Sequence, residues 1–280
     1  MAERMEAGKR GYLHEDFRLF HLKDSRAQKM EYHYHEFDKI IFLLSGKVTY
    51  MVEGKRYFLQ PFDILLVQHD MIHQPVIDPN EPYERIIIWL NSSCLARYGE
   101  HQLDKCFHLA RERNFHLLRA EKEKRGTYRR LLEQLEGALK AEGFGSDLLA
   151  ETYFLQLLIA VNRDMLKDHT AENTESYHFD PKIEAILRHI GEHLEDDLSV
   201  DKLAGEFYLS RYYLMHRFKE VTGYTVHRYV TQKRLQKAVS LIREGVPVMK
   251  AAEQSGFGEY STFLRAFQAA YRVSPKEFKL

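Results

Sequence analysis

Two groups of residues in this chain have types and spacings that suit chemistry. The first lies near the C-terminus, in SRYYLMHRFKEVTG. Leu214 and Phe218 are four apart and face a core, so Arg211, Tyr212, Met215, His216 and Lys219 share the opposite face. Arginine and histidine donate to guanine O6/N7 or to phosphate, tyrosine and methionine touch a thymine methyl, and lysine neutralises phosphate. A second face of this kind follows in GFGEYSTFLRAF, where Phe263 and Phe267 point inward and Tyr260, Ser261, Leu264 and Arg265 point outward. It is the less basic of the two: Leu264 offers no hydrogen bond, and Gln268 stands where Lys219 stands in the first copy. The second group is His33, His35, Lys39 and His73, with Trp89 as the single tryptophan. No residue set reads as catalytic.

The elements that must position the first group are two tandem helix-turn-helix units, Val200–Gly223 and Val248–Arg272. Ser199 and Ser210 are placed to cap helices, and Ala204 and Ala252 sit where a second helix crosses closely. Phe207-Tyr208-Leu209 and Gly256-Phe257 make the turns, and Gly223 ends the first recognition helix. Ahead of them, Asp180-Pro181 opens a helix whose inward face is Ile183, Ile186, Leu187, Ile190 and Leu194. Tyr224 to Arg243 reads as one connecting helix of 20 residues, about 30 Å long. That is close to the ~34 Å of one DNA turn, so both recognition helices can enter successive major grooves on one side of a duplex.

The N-terminal part has a different period. KIIFLL (39–44), KVTYMV (47–52), KRYFL (55–59), DILLVQ (63–68) and ERIIIWL (84–90) read as short strands separated by Ser45-Gly46, Glu53-Gly54, Gln60-Pro61 and Asp78-Pro79-Asn80. Such spacing predicts a small barrel or sandwich able to hold one small ligand. Tyr128, Leu131, Leu132, Leu135 and Leu139, then Leu148, Leu149, Phe154, Leu155, Leu158 and Ile159, recur at helical spacing, and Gly143-Phe144-Gly145 divides them into two helices. Their apolar stripes are buried on the barrel or in a homodimer seam. KDHTAENTESYHF (167–179) is polar and aperiodic and reads as a linker.

Bulk composition fits this division. Formal net charge is zero, yet residues 202–280 hold 14 Lys+Arg against 6 Asp+Glu, a local charge of +8. A basic end on an acidic partner domain suits attraction to phosphate. Cys94 and Cys106 lack ligand spacing and read as reduced thiols. No apolar run is long enough for a membrane span and no signal sequence is evident, so a cytoplasmic location is expected.

The C-terminal residues resemble the AraC/XylS transcription regulators over roughly 180–280. The resemblance rests on SRYYLMHRFKEVTGYTVHRYV, the Arg234-Leu235…Ala238 pairing, the GFGEYSTFLRAF core and Ser274-Pro275-Lys276-Glu277-Phe278. It implies that Tyr212, Met215 and His216 read base edges in the first unit, and Tyr260, Ser261, Leu264 and Arg265 in the second. The chain departs from the family pattern at Val226, where proline is usual, at Ala251, where a large aliphatic is usual, and at Arg272, where glycine is usual. The first unit is therefore expected to anchor binding and the second, with a thinned core, to contribute less.

His33-Tyr34-His35 before the first strand, His73, Ser45-Gly46 and Pro61-Phe62-Asp63 resemble a cupin barrel over roughly 15–90. Metal-binding cupins carry Glu where this chain has Lys39, and a cation there repels a divalent metal. Three imidazoles are still a ligand set for Zn²⁺ or Fe²⁺. The expectation is no metal and no cofactor, with His33, His35, Lys39, His73 and Trp89 lining an effector pocket.

Together these readings give an α+β multidomain chain. A cupin-like effector-binding barrel spans 1–100, a helical dimerisation or packing region 101–167, a linker 168–179 and a double helix-turn-helix domain 180–280. The expected function is a non-enzymatic, sequence-specific regulator binding double-stranded promoter DNA. It acts as a homodimer, under a small-molecule effector for which a sugar is a candidate. Effector binding would reorder the barrel or its N-terminal arm (1–16). The alternatives are a metal-dependent cupin enzyme with a helical tail and a constitutive architectural DNA binder.

Overall fold

The computed structural model describes residues 13, 15–24, 30–69, 71–78, 80–95, 98, 102–167, 177–178, 180–271 and 273–278. Most of the N-terminal arm, most of the linker, Pro79 and Arg272 lie outside the described residues.

The N-terminal half is built from β1 (Phe17–Asp24), β2 (Asp38–Ser45), β3 (Val48–Val52), β4 (Lys55–Leu59), β5 (Asp63–Val67), β6 (His73–Ile77) and β7 (Tyr83–Leu90). Then come α1 (Ser92–Leu95), α2 (Lys105–Glu112), β8 (Leu117–Arg119), α3 (Lys122–Lys140) and α4 (Ser146–Lys167). One sheet has the order β1-β7-β2-β5-β8. The other has the order β6-β3-β4-β9, its last strand being β9 (Tyr177–His178), which pairs with β4. Every pairing is antiparallel.

Strand alternation divides the side chains of β2 between two cores. Ile41 and Leu43 pack with Val48, Tyr50 and Tyr57 between the sheets. Ile40 and Phe42 face the other way, onto Tyr128, Leu135, Phe154 and Leu158 of α3 and α4. The paired helices therefore cover the outer face of the five-stranded sheet. Sequence reading anticipates β2 to β5 and β7 and misses β1, β6, β8, β9, α1 and α2. In β6, Pro75 hides the strand; it is tolerated because β6 lies on a sheet edge.

The C-terminal half is helical: α5 (Pro181–Glu192), α6 (Val200–Glu206), α7 (Arg211–Thr222), α8 (Val226–Arg243), α9 (Val248–Gln254) and α10 (Tyr260–Tyr271). Three of its N-caps, Asp180, Ser199 and Ser210, are those legible in the sequence, and Thr225 is a fourth that moves the start of the connecting helix from Tyr224 to Val226. The Asp180 carboxylate accepts from the backbone N–H groups of Lys182 and Ile183, Ser199 from Lys202, Ser210 from Tyr213, and Thr225 from Arg228. Gly223 ends α7 in the left-handed conformation at φ 77°. Val226, which stands where the family pattern has proline, is buried in the first unit's core.

The two helix-turn-helix units have separate cores. The first packs Leu203, Ala204, Leu214 and Phe218 against α5 and α8. The second packs Ala251 and Ala252 among Phe257, Phe263, Phe267 and Tyr271. Ala251 does remove aliphatic bulk, but an aromatic chain occupies this core: Phe263–Phe267 centroids are 5.4 Å apart, Phe267–Tyr271 4.6 Å and Tyr271–Phe278 5.2 Å. The units meet at a tight joint. Arg234 donates to the carbonyls of Leu194 (2.8 Å) and Asp196 (2.7 Å), and a Cβ on Gly256 would lie 1.9 Å from the Leu194 oxygen.

Candidate functional site

On α7 the predicted face is built as its spacing implies. Leu214 and Phe218 are fully buried, while Arg211, Tyr212, Met215, His216 and Lys219 are all exposed. Tyr212 and His216, one turn apart, hold their rings 4.3 Å from centroid to centroid. Arg211 pairs with Asp201 of α6 at 3.0 Å, but both side chains are mostly in water, so the pair yields readily to a phosphate. Arg217 is not part of the face: it donates to Asp180 at 2.6 Å and to Glu220 at 2.8 Å. It thereby ties the N-cap of α5 to the back of the recognition helix.

The second face is narrower than its sequence suggests. Ser261 and Arg265 are exposed, whereas Tyr260 and Leu264 are half-buried and packed on the second core. α8 holds 18 residues, about 27 Å of helix between the units. Sequence reading treats Tyr208 only as part of a turn. It stands 96% exposed at φ 53° between α6 and α7, a left-handed tyrosine presented to solvent. Met249, 68% exposed on α9, is likewise missed.

In the N-terminal half the structure gathers the whole second group. His33, His35 and His73 are buried and present donor atoms all within 4.8 Å of one another. The Nδ1 atoms of His33 and His73 face the carbonyls of Glu31 and Met71, each at 2.8 Å. A carbonyl only accepts, so each Nδ1 carries the proton and each Nε2 keeps its lone pair. Lys39 then donates to Nε2 of His35 and, at 3.3 Å, to Nε2 of His73. Burial, followed by the Lys39 ammonium and the other two imidazoles, pushes His73 well below the ordinary imidazole range, which keeps it a neutral acceptor.

Lys39 and Trp89 are register partners on β2 and β7, so they share a face. The Trp89 ring lies 5.8 Å from the Lys39 ammonium and 5.9 Å from the His35 ring, and stacks on Phe37 at 4.3 Å. Trp89 is only half-buried and is the outer wall of the cluster. The three imidazoles are disposed as a ligand set, but an ammonium is hydrogen-bonded to two of their acceptor nitrogens. A divalent cation does not fit these residues while Lys39 holds that position.

Two open clefts are formed by described residues. One of about 600 Å³ runs over the outer face of β3, β4 and β6, along Thr49, Phe58 and Val76. Another of about 620 Å³ lies at the joint of the two helical units, along Asp197, Arg211, His227 and Arg234.

Fold and sites define a class: a two-sheet domain joined to a tandem helix-turn-helix unit whose first recognition helix presents an exposed, basic and aromatic face. Comparison with known proteins narrows it. The AraC-like ligand binding domain family matches residues 19–158, and the helix-turn-helix domain family matches 203–280. The chain is 24% identical over 251 residues to the HTH-type transcriptional activator RhaS of Escherichia fergusonii, covering 88% of this chain and 86% of that protein. It is 29% identical over 153 residues to RhaS of Salmonella arizonae; that match spans about half of each protein, 53%. Among solved structures, ToxT from Vibrio cholerae aligns over 94% of this chain and 98% of its own at 16% identity and a TM-score of 0.35. The C-terminal domain of the response regulator yesN from Fusobacterium nucleatum aligns over 36% of this chain and 100% of its own at 29% identity and a TM-score of 0.35.

The chain belongs to the AraC/XylS family of transcription regulators. It is a DNA-binding regulator controlled through an N-terminal ligand-binding domain. No helix among the described residues is long and apolar enough to cross a membrane.

Proposed function

We propose that the chain reads promoter DNA with Arg211, Tyr212, Met215, His216 and Lys219 as its main face, and with Ser261 and Arg265 leading the second. Tyr260 and Leu264 set the edge of that second face. The observation that carries this reading is the contrast on α7: a fully buried Leu214–Phe218 stripe under a solvent-facing set of one arginine, one histidine, one lysine, a tyrosine and a methionine. The effector site is His33, His35, Lys39, His73 and Trp89, and it takes a small polar molecule rather than a metal. A sugar suits the chemistry, since the Phe37–Trp89 plate accepts a C–H face while imidazole and ammonium groups bind hydroxyls.

A homodimer is supported by α4. Leu148, Ile159 and Leu166 are exposed along one side of a 22-residue helix, with Phe144 fully exposed just before it. The domain limits 1–100, 101–167, 168–179 and 180–280 are a reading of the sequence; the barrel sheet and α3–α4 share one core, through Ile40, Phe42, Tyr128 and Phe154.

The test is anisotropy of a labelled duplex spanning the gene's own upstream region, with and without each member of a sugar panel. Thermal shift identifies binders first, because a ligand of the native state raises Tm. The expected result is sequence-specific binding whose affinity moves ~5–150-fold with the effector, a coupling of about 1–3 kcal/mol. Stoichiometric metal in the purified protein together with no duplex binding would overturn the reading. Leu148→Glu with Ile159→Glu should halve the mass seen by light scattering; an unchanged mass removes α4 as the seam.

A further inference from the structure

Two residues of the histidine cluster each follow a residue that touches the DNA-binding half. Tyr32 precedes His33, and Ile72 precedes His73. The strand segments are bridged at His33 and His73, whose N–H groups and carbonyls exchange hydrogen bonds of 3.0 and 2.9 Å. In extended chain, successive side chains point to opposite faces. One face of this bridged pair therefore carries the imidazoles. The other face carries Tyr32 and Ile72, which pack into the core of the first helix-turn-helix unit with Ile183, Val221 and Tyr229. Tyr32 donates to the Val221 carbonyl at 3.1 Å, and its ring lies where a Cβ on Gly223 would be, 2.0 Å from Tyr32 Cδ2.

The adjacent hairpin turn completes the junction. Glu53-Gly54 joins β3 to β4 with φ 44° and 82°, a tight two-residue turn. Glu53 is locked to Ile72 twice: its N–H donates to the Ile72 carbonyl at 2.9 Å, and its carboxylate accepts from the Ile72 N–H at 2.9 Å. The same carboxylate accepts from the Tyr229 hydroxyl and, at 2.8 Å, from Lys233, both on α8. A Cβ on Gly54 would lie 2.8 Å from the Leu187 side chain of α5, so the turn packs directly on the first unit. The carboxylate thus bonds at once to the strand that bears His73 and to the helix that joins the two DNA-reading units.

We infer that the Tyr32–His33 and Ile72–His73 pair is a two-faced plate that passes a change at the Lys39–histidine cluster to α7 and α8, with Glu53 as the latch that makes the transfer. The inference deepens the effector reading above and rests on it for the source of the signal. The plate moves as a unit because its two strands are hydrogen-bonded at the histidines. What the cluster gains or loses on one face is felt as a shift of Tyr32 and Ile72 on the other, and Glu53 carries that shift to Tyr229 and Lys233.

Hydrogen exchange on the full chain tests this without ligand or DNA. Lys39→Met and His35→Gln each perturb the cluster. Both should change amide exchange in 221–233 as well as in 33–39 and 72–74. Adding Glu53→Gln or Tyr229→Phe should abolish the change in 221–233 while leaving that in 33–39. If cluster variants alter 33–39 and leave 221–233 as in wild type, the plate transmits nothing and the inference is overturned. It is equally overturned if Glu53→Gln leaves the distant response intact. A second arm separates this inference from the function on which it rests. Adding the upstream duplex should shift the emission of Trp89, the single tryptophan, in wild type. In Glu53→Gln and Tyr229→Phe the duplex should bind with Trp89 silent. No binding by wild type defeats the DNA reading, whereas binding with an identical Trp89 response in all three defeats the relay.

Discussion

The Lys39 ammonium donates to Nε2 of His73 across 3.3 Å, in a cluster where three imidazoles present donor atoms within 4.8 Å of one another. A positive charge thus stands among neutral ligand atoms. Moving a dication to the same place sets like charges against each other in a buried site, where screening by water is weak. Purified wild-type chain should therefore hold less than ~0.1 Zn²⁺ per chain after exposure and dialysis. Lys39→Glu reverses the charge and supplies a fourth ligand of the type zinc accepts, so it should retain about one. Elemental analysis decides the matter, and stoichiometric zinc in wild type would remove the electrostatic argument.

Arg265 and Lys219 should fail in different ways. Arg265 is exposed on the narrower second face and has the donor geometry for guanine. Arg265→Ala should cost about 1–3 kcal/mol on the specific duplex and relax the preference at one base pair. Lys219, exposed in the last turn of α7, suits a phosphate. Lys219→Ala should weaken specific and scrambled duplexes alike and lower the salt slope by about one. Anisotropy titrations at several salt concentrations measure both, and identical behaviour of the two variants would refute the division of roles.

The two units should also contribute unequally. All five residues named on the α7 face are exposed, whereas two of the four named on α10 lean on their own core. Tyr212→Ala with His216→Ala should therefore reduce affinity by more than Ser261→Ala with Arg265→Ala, measured on one duplex at one salt concentration. A larger loss from the α10 pair would reverse the ranking.

How far the sequence reveals this arrangement depends on whether the signal is local. Caps, helix periods and glycine stops are local, so Asp180, Ser199, Ser210 and Gly223 mark the helices of the C-terminal half with little error. The outward face of α7 follows from the same period. The strands β1 and β6 escape because one has charged residues on its solvent side and the other contains Pro75. His33 and His73 are 40 positions apart, and their bridge is a consequence of sheet pairing that no spacing announces. Glu53 reads as half of a turn; its part in the junction depends on Ile72, Tyr229 and Lys233, which reach it only in the folded chain.

His116, absent from any sequence motif, should make the chain sensitive to acid. It is buried beside Tyr57, with Nδ1 unpartnered, and burial followed by the Lys55 ammonium pushes its imidazole from 6.5 down to about 4. The unfolded chain binds that proton from near pH 6.5, the folded chain only near 4. Between those values the unfolded state holds more protons, so stability is full above pH 6.5 and falls as pH drops to about 4. The loss from this group is on the order of 3 kcal/mol. Urea unfolding from pH 7 to 4 should show the decline, and His116→Leu should flatten it without abolishing it, because His73 is also held neutral. An unchanged slope in His116→Leu would place the acid sensitivity elsewhere.

Gly256 should be the least replaceable residue at the joint of the two helix-turn-helix units. Its φ is 90°, a conformation that costs any other residue about 1–3 kcal/mol. A Cβ there would also lie 1.9 Å from the Leu194 carbonyl oxygen and 2.9 Å from Arg234 Nε. The oxygen is backbone and is already held by Arg234 at 2.8 Å, so it has no room to retreat. Gly256→Ala should therefore destabilise the helical half by at least about 2 kcal/mol and lower its Tm by roughly 10 °C. Where the chain still folds, α9 and α10 should be displaced relative to α7, and affinity for a duplex carrying both contact sites should fall towards that of the first unit alone. Gly258, two residues further on in the same turn and with open space around its Cβ position, is the control: Gly258→Ala should leave both Tm and affinity near wild type. If Gly256→Ala behaves like Gly258→Ala, the joint is not rigid and the spacing between the two reading faces is set by something other than the Leu194–Arg234–Gly256 contact.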